Sequence, residues 1–552
     1  MANCSHRPII VDHHRVEVHI CYEKPHRMPA PIFSGGLWLG PRRAEGGSLA
    51  AVDSAFSDSA THARAASPDF LDGLRHSWIG GRQLPSSSHS LRHESPHNGL
   101  SLGDTDDARE ECVAAAVASA RAGFEVWSRL PQPERQRLLS AFADRIEASA
   151  GMLAALEALE VGRPVTDARG LVVAAAGFVR TQAQLIDLIG GDVVAADDSR
   201  LSVVWRRPRG VVLAIAPWNV PVTNALSRAA PALACGNAVI VKPSENCPRS
   251  AVLLARLASE AGFPDGVFNV ALGDGPNTGR LLASHDGIDM IAFTGSTATG
   301  REITRLAATR SLKPVLLECG GKSPTILLDD IFGPEQLWRA VFAATFWNTG
   351  QLCVARTRII LPRQRLEEAT AGLLAAAAEW PCGDPFNPAT RLGPLASPRQ
   401  LATVRRFMDE ANKAGRLVEL RCPDSGIDPN GCYMKPHLVT GIDRSSRVWR
   451  EEVFGPLAVL QPFDTVSEAI ELANDSHYGL AATVWTNRSR EAYAVARALE
   501  AGIVEILTSS ESTPGWSTLQ YFEPRKQSGL GVDGGLQGLR AYTAAQSVSF
   551  SH

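Results

Sequence analysis

The chain has 552 residues, 45% of them apolar and 20% charged, with a formal net charge of −3. That length exceeds one ordinary hydrophobic core and implies two or three domains. The near-neutral balance argues against bulk attraction to nucleic acid or an anionic membrane, and no uninterrupted apolar run approaches the ~18–20 residues of a membrane-spanning helix.

Residues 1–66 mix His, Pro, Gly, Ser and Arg without periodicity, and a disordered tail is expected there. The first residues carry charges and no apolar stretch, so no secretory signal is expected; Met28 is an alternative internal start. His13, His14 and His19 have no further ligands beside them, so no metal site is expected. The ten cysteines form no C-x-x-C pair, a spacing that suits free thiols in a reducing compartment, the cytoplasm.

Order is expected from about His76-Ser77-Trp78-Ile79-Gly80-Gly81. Apolar residues recur at helical spacing over 107–124 and again over 133–148, where Leu138, Leu139, Phe142, Ala143 and Ile146 share one face. From about 201 the texture changes. Short apolar runs at 211–215, 238–241 and 290–293 are separated by helical segments at 224–234, 249–261 and 277–284. Strands alternating with helices predict a parallel α/β sheet. The alternation resumes at 325–328 and 358–361, which predicts a second α/β unit.

Ligands of open α/β sheets sit beyond the carboxyl ends of strands, so those ends were the places to look for chemistry. The 211–215 run leads into Ala216-Pro217-Trp218-Asn219, and Pro217 and Pro221 restrict the backbone around Asn219. Its amide either donates to a developing oxyanion or closes a turn. The 238–241 run ends in Lys242-Pro243-Ser244-Glu245, where a carboxylate can accept from ribose hydroxyls and an ammonium can meet ribose or phosphate oxygens; a solvated charged loop is the alternative. Phe293-Thr294-Gly295-Ser296, continuing to Gly300, reads as strand end, turn and helix start. Free N–H groups there suit a pyrophosphate, although the stretch is neither G-x-G-x-x-G nor a Walker A loop, and a capped helix without ligand fits it too. Glu318 precedes Cys319-Gly320-Gly321, and Cys353 follows Gly350-Gln351-Leu352. A carboxylate base and a thiol in two glycine-containing segments suggest chemistry that makes a thioester and hydrolyses it. Singly, each is as well explained by a helix-capping Glu and a buried Cys.

Together these segments resemble the aldehyde dehydrogenase superfamily, of the NAD(P)-dependent, hydrolytic type. The stretches that carry the resemblance are Pro217-Trp218-Asn219, Gly236-Asn237 through Glu245, Phe293 to Ser296, Glu318-Cys319-Gly320-Gly321-Lys322-Ser323-Pro324, Gly350 to Cys353, Glu451-Glu452-Val453-Phe454-Gly455-Pro456 and Ala473-Asn474 through Gly479-Leu480. They cover roughly residues 76–550 in the family's order. The resemblance implies Cys353 as nucleophile, Asn219 with the Cys353 backbone N–H as oxyanion donors, and Glu318 as the base that activates water. It implies a cofactor site of Ala216, Pro217, Trp218, Lys242, Ser244, Glu245, Phe293, Thr294, Gly295, Ser296, Gly300, Glu452 and Phe454. Because a carboxylate repels a 2′-phosphate, Glu245 favours NAD, with NADP the second option through Lys242. The substrate is a small-molecule aldehyde, its tunnel bordered by Val220, Thr223, Asn224, Ser227, Leu352 and Val354.

The implied fold is α/β: a Rossmann-like parallel-sheet dinucleotide-binding domain (67–188 and 209–317), a second α/β catalytic domain (318–523) and a small β oligomerisation element (189–208 and 524–552), in a homodimer or homotetramer. The chain departs from the family pattern at Phe522-Glu523-Pro524-Arg525, where a double glycine is usual, and at Cys319, where Leu is usual. Two alternatives follow: an aldehyde dehydrogenase that passes its thioester to CoA, which the presence of Glu318 disfavours, and a catalytically silent scaffold on the same fold.

Overall fold

A computed structural model of the chain describes residues 36–38, 59–85, 89–508, 515–517 and 519–551. The histidines of the N-terminal segment and Met28 lie outside these residues. Part of the expected tail is ordered: Ser59–Ala65 is a helix that buries Ala65 in the main core, and Gly36–Trp38 pairs antiparallel with Gly515–Ser517. With only Ala65 of the first helix buried, the segment has no apolar period to read.

The first sheet has eight strands. Five of them, in spatial order Val315–Glu318, Met290–Thr294, Val211–Ile215, Ala238–Lys242 and Phe268–Val270, run parallel. They are covered on both faces, which is why they read as continuous apolar runs rather than alternating ones. Antiparallel strands close the edges: Gly529–Leu530 at one side, and at the other the hairpin of Ser77–Ile79 and Arg82–Leu84. Gly80 and Gly81 form its two-residue turn with φ of 61° and 77°, a geometry that needs positive φ at both central positions.

A second sheet has seven strands, ordered Arg416–Glu419, His437–Thr440, Leu457–Phe463, Arg358–Pro362, Pro324–Leu327, Ala481–Trp485 and Ile503–Leu507, parallel except at the first pair. A third, antiparallel sheet joins Asp192–Asp197, Arg200–Pro208 and Thr543–Ser551. The architecture is α/β, with the alternation seen in the sequence. The strand Gly529–Leu530, expected in the small β element, instead completes the first sheet.

The helices expected at 107–124, 133–148 and 249–261 are Glu110–Trp127, Gln132–Ala148 and Arg249–Glu260. The one expected from 224 starts earlier, as Pro221–Ala234, with proline in its first turn, where a missing N–H costs nothing. The segment 277–284 divides into a wide turn, Gly275–Gly279, and a short helix, Arg280–Ser284. Asp274 caps the turn by accepting from the Asn277 N–H at 2.7 Å.

Among the described residues, one helical stretch, Val165–Leu188, is long and apolar enough on average to cross a membrane, although Asp167, Arg169 and Arg180 interrupt it. Half of it is buried in the protein, against Gln132–Ala148, Ala150–Val161 and Pro221–Ala234.

Candidate active site

Four parallel strands of the first sheet end, at Ile215, Lys242, Thr294 and Glu318, on one cleft of about 1070 Å³. Its wall holds Ala216, Pro217, Trp218, Asn219, Lys242, Ser244, Glu245, Phe293, Thr294, Gly295, Ser296, Glu318, Cys353, Glu452 and Phe454. Asn219, Glu318 and Cys353 are thus brought to one cavity from three distant stretches of chain. Gly300 is the exception. It is buried in the helix Thr297–Arg310, off the wall, and a Cβ there would lie 2.8 Å from the Cys319 Sγ. Its lack of a side chain gives Cys319 room to pack beneath the helix.

At the deep end, the turn Cys319-Gly320-Gly321 runs between two functional groups. A Cβ on Gly320 would lie 2.3 Å from the Glu452 Oε2, and one on Gly321 would lie 2.3 Å from the Cys353 carbonyl oxygen. The Gly321 N–H donates to Glu452 Oε1 at 2.9 Å. Ser528 pins the turn from the C-terminal region: its hydroxyl donates to the Gly320 carbonyl at 2.8 Å, and its own carbonyl accepts from the Cys319 N–H at 2.8 Å.

The loop to Cys353 is reached through Asn348 and Thr349, both left-handed with φ of 55° and 56°. Non-glycine residues hold such angles only where surroundings enforce them. Here the Thr349 hydroxyl donates to the Gly393 carbonyl at 2.8 Å, and the Asn348 amide donates to the Asn219 carbonyl at 3.1 Å. The Asn219 side chain is fixed at both ends. Its Nδ2 donates to the Gln351 carbonyl at 3.0 Å, and its Oδ1 accepts from Asn224 Nδ2 at 3.0 Å. One N–H of the amide remains for another acceptor.

Burial pushes the Cys353 thiol up to about 12, and the Glu452 and Glu318 carboxylates add to that; backbone N–H groups of Cys353 and Val354 act the other way. Glu318 is buried with no hydrogen-bond partner for its Oε1 among the described residues. Desolvation, then the negative charge of Asp533, holds its carboxyl well above the usual carboxylate range, against the pull of Arg228. Burial likewise raises Glu452 to about 7.

The outer part of the cleft suits a dinucleotide. Lys242 is buried and donates to the Pro243 carbonyl at 2.8 Å, with Glu245 beside it. Ser296 caps the helix Thr297–Arg310 by accepting from the Thr299 N–H at 3.1 Å. Thr294 Oγ1 is buried without a partner. Phe454, itself at φ 55°, meets the Trp218 ring edge-on at 5.2 Å, and Gln400 holds its carbonyl at 2.7 Å. A buried ammonium with a carboxylate beside it, a helix N-terminus and an aromatic pair on the wall of one cleft suit such a molecule.

Several residues at this site carry no sequence signal of their own: Arg163, Arg228, Asn348, Gln400 and Asp533. Each acts by fixing the backbone or charge of a residue far along the chain, and no local pattern marks that role.

Residues 84–548 match the model of the aldehyde dehydrogenase family. The NADP/NAD-dependent aldehyde dehydrogenase PuuC of Escherichia coli (strain K12) is 38% identical over 80% of this chain and 88% of its own length. The aminoacetaldehyde dehydrogenase of Pseudomonas aeruginosa is 37% identical over 84% of this chain and 91% of its own. Among solved structures, the indole-3-acetaldehyde dehydrogenase AldA of P. syringae, a mutant in complex with NAD+ and IAA, superposes with a TM-score of 0.83 at 33% identity, covering 88% of this chain and 100% of that one. A thiol, a carboxyl group and an amide on one dinucleotide-sized cleft, matched by relatives along most of the chain, lead to one conclusion: the chain belongs to the aldehyde dehydrogenase family.

Proposed function

We propose that the chain oxidises an aldehyde to a carboxylic acid through a thioester on Cys353. The observation that carries this reading is the presence of Asn219, Glu318 and Cys353 on the wall of one cleft. The Cys353 thiolate attacks the aldehyde carbon, and the carbonyl oxygen becomes an oxyanion. The free N–H of the Asn219 amide and the Cys353 backbone N–H donate to it. NAD, held along the cleft, would supply the hydride acceptor, and the oxyanion collapses as the carbon's hydrogen leaves with its electron pair. Cys353 then carries the acyl group as a thioester, Glu318 takes a proton from water, and the hydroxide attacks the thioester carbon. The Cys353 thiolate leaves, and the acid is released.

Lys242 and Glu245 would hold the adenosine ribose, Ser296 and its neighbours the pyrophosphate, and Glu452 and Phe454 the nicotinamide end. Glu245 supports NAD over NADP. The relatives' named substrates differ widely, from aminoacetaldehyde to indole-3-acetaldehyde, so the substrate is assigned only as a small aldehyde. A homo-oligomer is supported by the third sheet, whose strands expose Val193, Val194, Trp205 and Phe550 and whose outer edges a second copy could pair with. A cytoplasmic location fits the eight thiols among the described residues.

The test is NADH absorbance across a panel of aldehydes, with and without CoA. Turnover without CoA that disappears in Cys353→Ala is expected. Turnover that depends on CoA, or that persists in Cys353→Ala, would overturn the proposal.

A further inference from the structure

Arg163 follows the helix Ala150–Val161 after Gly162, which ends that helix in the left-handed conformation. Its side chain is 1% exposed, yet it reaches both loops that build the reaction centre. One guanidinium Nη2 donates to the Asn219 carbonyl, the same oxygen that accepts from Asn348 at 3.1 Å. The guanidinium also lies 5.6 Å over the ring of Trp347, the residue before Asn348. Its Nε is 3.4 Å from Glu157 Oε2, and the other oxygen of Glu157 accepts from the Val222 N–H at 3.0 Å. The ion pair therefore grips the turn from Asn219 to Val222 at two places.

Packing alone does not account for this residue. The Nε and Nη1 of Arg163 have no hydrogen-bond partner among the described residues, and a buried guanidinium with unmatched donors costs stability that an apolar side chain of similar length would not. What the charge and its reach provide is a fixed Asn219 backbone.

We propose that Arg163 is a positioning residue for the oxyanion site: with Asn348 it holds the carbonyl of Asn219, and so sets the place of the Asn219 amide relative to Cys353. The proposal rests on the thioester reading above, in which Asn219 stabilises the tetrahedral oxyanion. An interaction of that kind matters in the transition state more than in the bound substrate, so its loss lowers kcat more than it changes KM.

The test compares Arg163→Met and Arg163→Lys with the parent in four measurements: kcat, KM for an aldehyde substrate, Kd for NAD+, and the rate at which iodoacetamide alkylates Cys353. Alkylation displaces iodide and forms no oxyanion, so it reports the thiol and its surroundings without the oxyanion site. Arg163→Met is expected to lower kcat by about 100-fold, the effect of a displacement on the order of 1 Å at a reacting centre. KM, NAD+ affinity and alkylation should stay within about threefold, as for an interaction made only in the transition state. Arg163→Lys keeps the charge but not the fork, and is expected to lose about tenfold in kcat. If Arg163→Met does not fold, the lysine variant carries the test by the same criteria. A parent-like kcat, or a fall in alkylation or NAD+ binding that matches the fall in kcat, overturns the proposal. Failure of the underlying reading shows separately, as turnover that survives in Cys353→Ala.

Discussion

Arg228 gives its guanidinium to Asp533, and the buried Glu318 beside the pair keeps an oxygen with no hydrogen-bond partner among the described residues. The charges of both neighbours reach Glu318: Asp533 raises its pKa and Arg228 lowers it, on top of a larger rise from desolvation. A carboxyl held above its ordinary range takes a proton from water only after losing its own, so the pH at which it ionises sets where it can act as a base. Asp533→Asn removes the charge that raises it and frees Arg228 to act on it. The pH-dependent limb of thioester hydrolysis, followed by single-turnover kinetics from pH 6 to 10, is expected to move to lower pH. A limb that stays in place or moves up would show that Asp533 does not govern Glu318.

The same buried carboxyl bears on stability. Its pKa is higher in the folded chain than in the unfolded one. As pH rises above the ordinary carboxylate range, the unfolded chain loses this proton first, and the folded state is progressively disfavoured until Glu318 itself ionises. Glu318→Gln has the same shape and no charge to bury. Its Tm is expected to exceed the parent's at pH 8, with the gap closing as pH falls toward 4. Thioester hydrolysis in that variant should slow by about 10²–10⁴-fold, the usual range for loss of a general base. A Tm below the parent's at pH 8 would contradict the account.

What could be read from the sequence and what could not follow one division. Strands such as Val211–Ile215 and Ala238–Lys242 are buried on both faces, so their apolar runs announce them, and the residues at their carboxyl ends inherit a position from the fold. Cys353, Glu318 and Asn219 were visible because their motifs recur in a family. Arg163, Asn348 and Asp533 were not, because each makes its contact across a long stretch of chain, 56 positions from Arg163 to Asn219 and more than a hundred for the other two, and has no period or spacing to mark it. Gly300 lies off the cleft wall for a related reason: the motif marks the start of a helix, but whether a glycine there lines the cleft or packs on a neighbouring Cys319 depends on the strand packed behind it.

The Cys353 thiol is held up at about 12 first by burial and then by the Glu452 carboxylate. Glu452→Gln removes that charge while keeping the side chain's size, so the thiolate should form at lower pH. Alkylation of Cys353 by iodoacetamide at pH 9 is expected to be several-fold faster in Glu452→Gln than in the parent. An unchanged or slower rate would mean that Glu452 does not act on the sulfur.

Gly321 and Gly170 separate a glycine required by close approach from one that is not. At Gly321 a methyl group would sit 2.3 Å from the Cys353 carbonyl oxygen, far inside contact distance, and both groups are backbone or bonded to it. Relief of that clash must move the Cys353 loop, and Gly321→Ala is expected to lower kcat by about 100-fold through displacement of the nucleophile. At Gly170, inside the helix Val165–Gln184, nothing lies within 4 Å of the added methyl. Gly170→Ala should leave kcat unchanged and raise stability by about 0.5–1 kcal/mol, because alanine loses less backbone freedom on entering a helix. The two variants, compared by thermal unfolding and steady-state kinetics, distinguish a turn built around the nucleophile from general intolerance to substitution. Equal effects on kcat would place the cause of activity loss elsewhere than at Cys353.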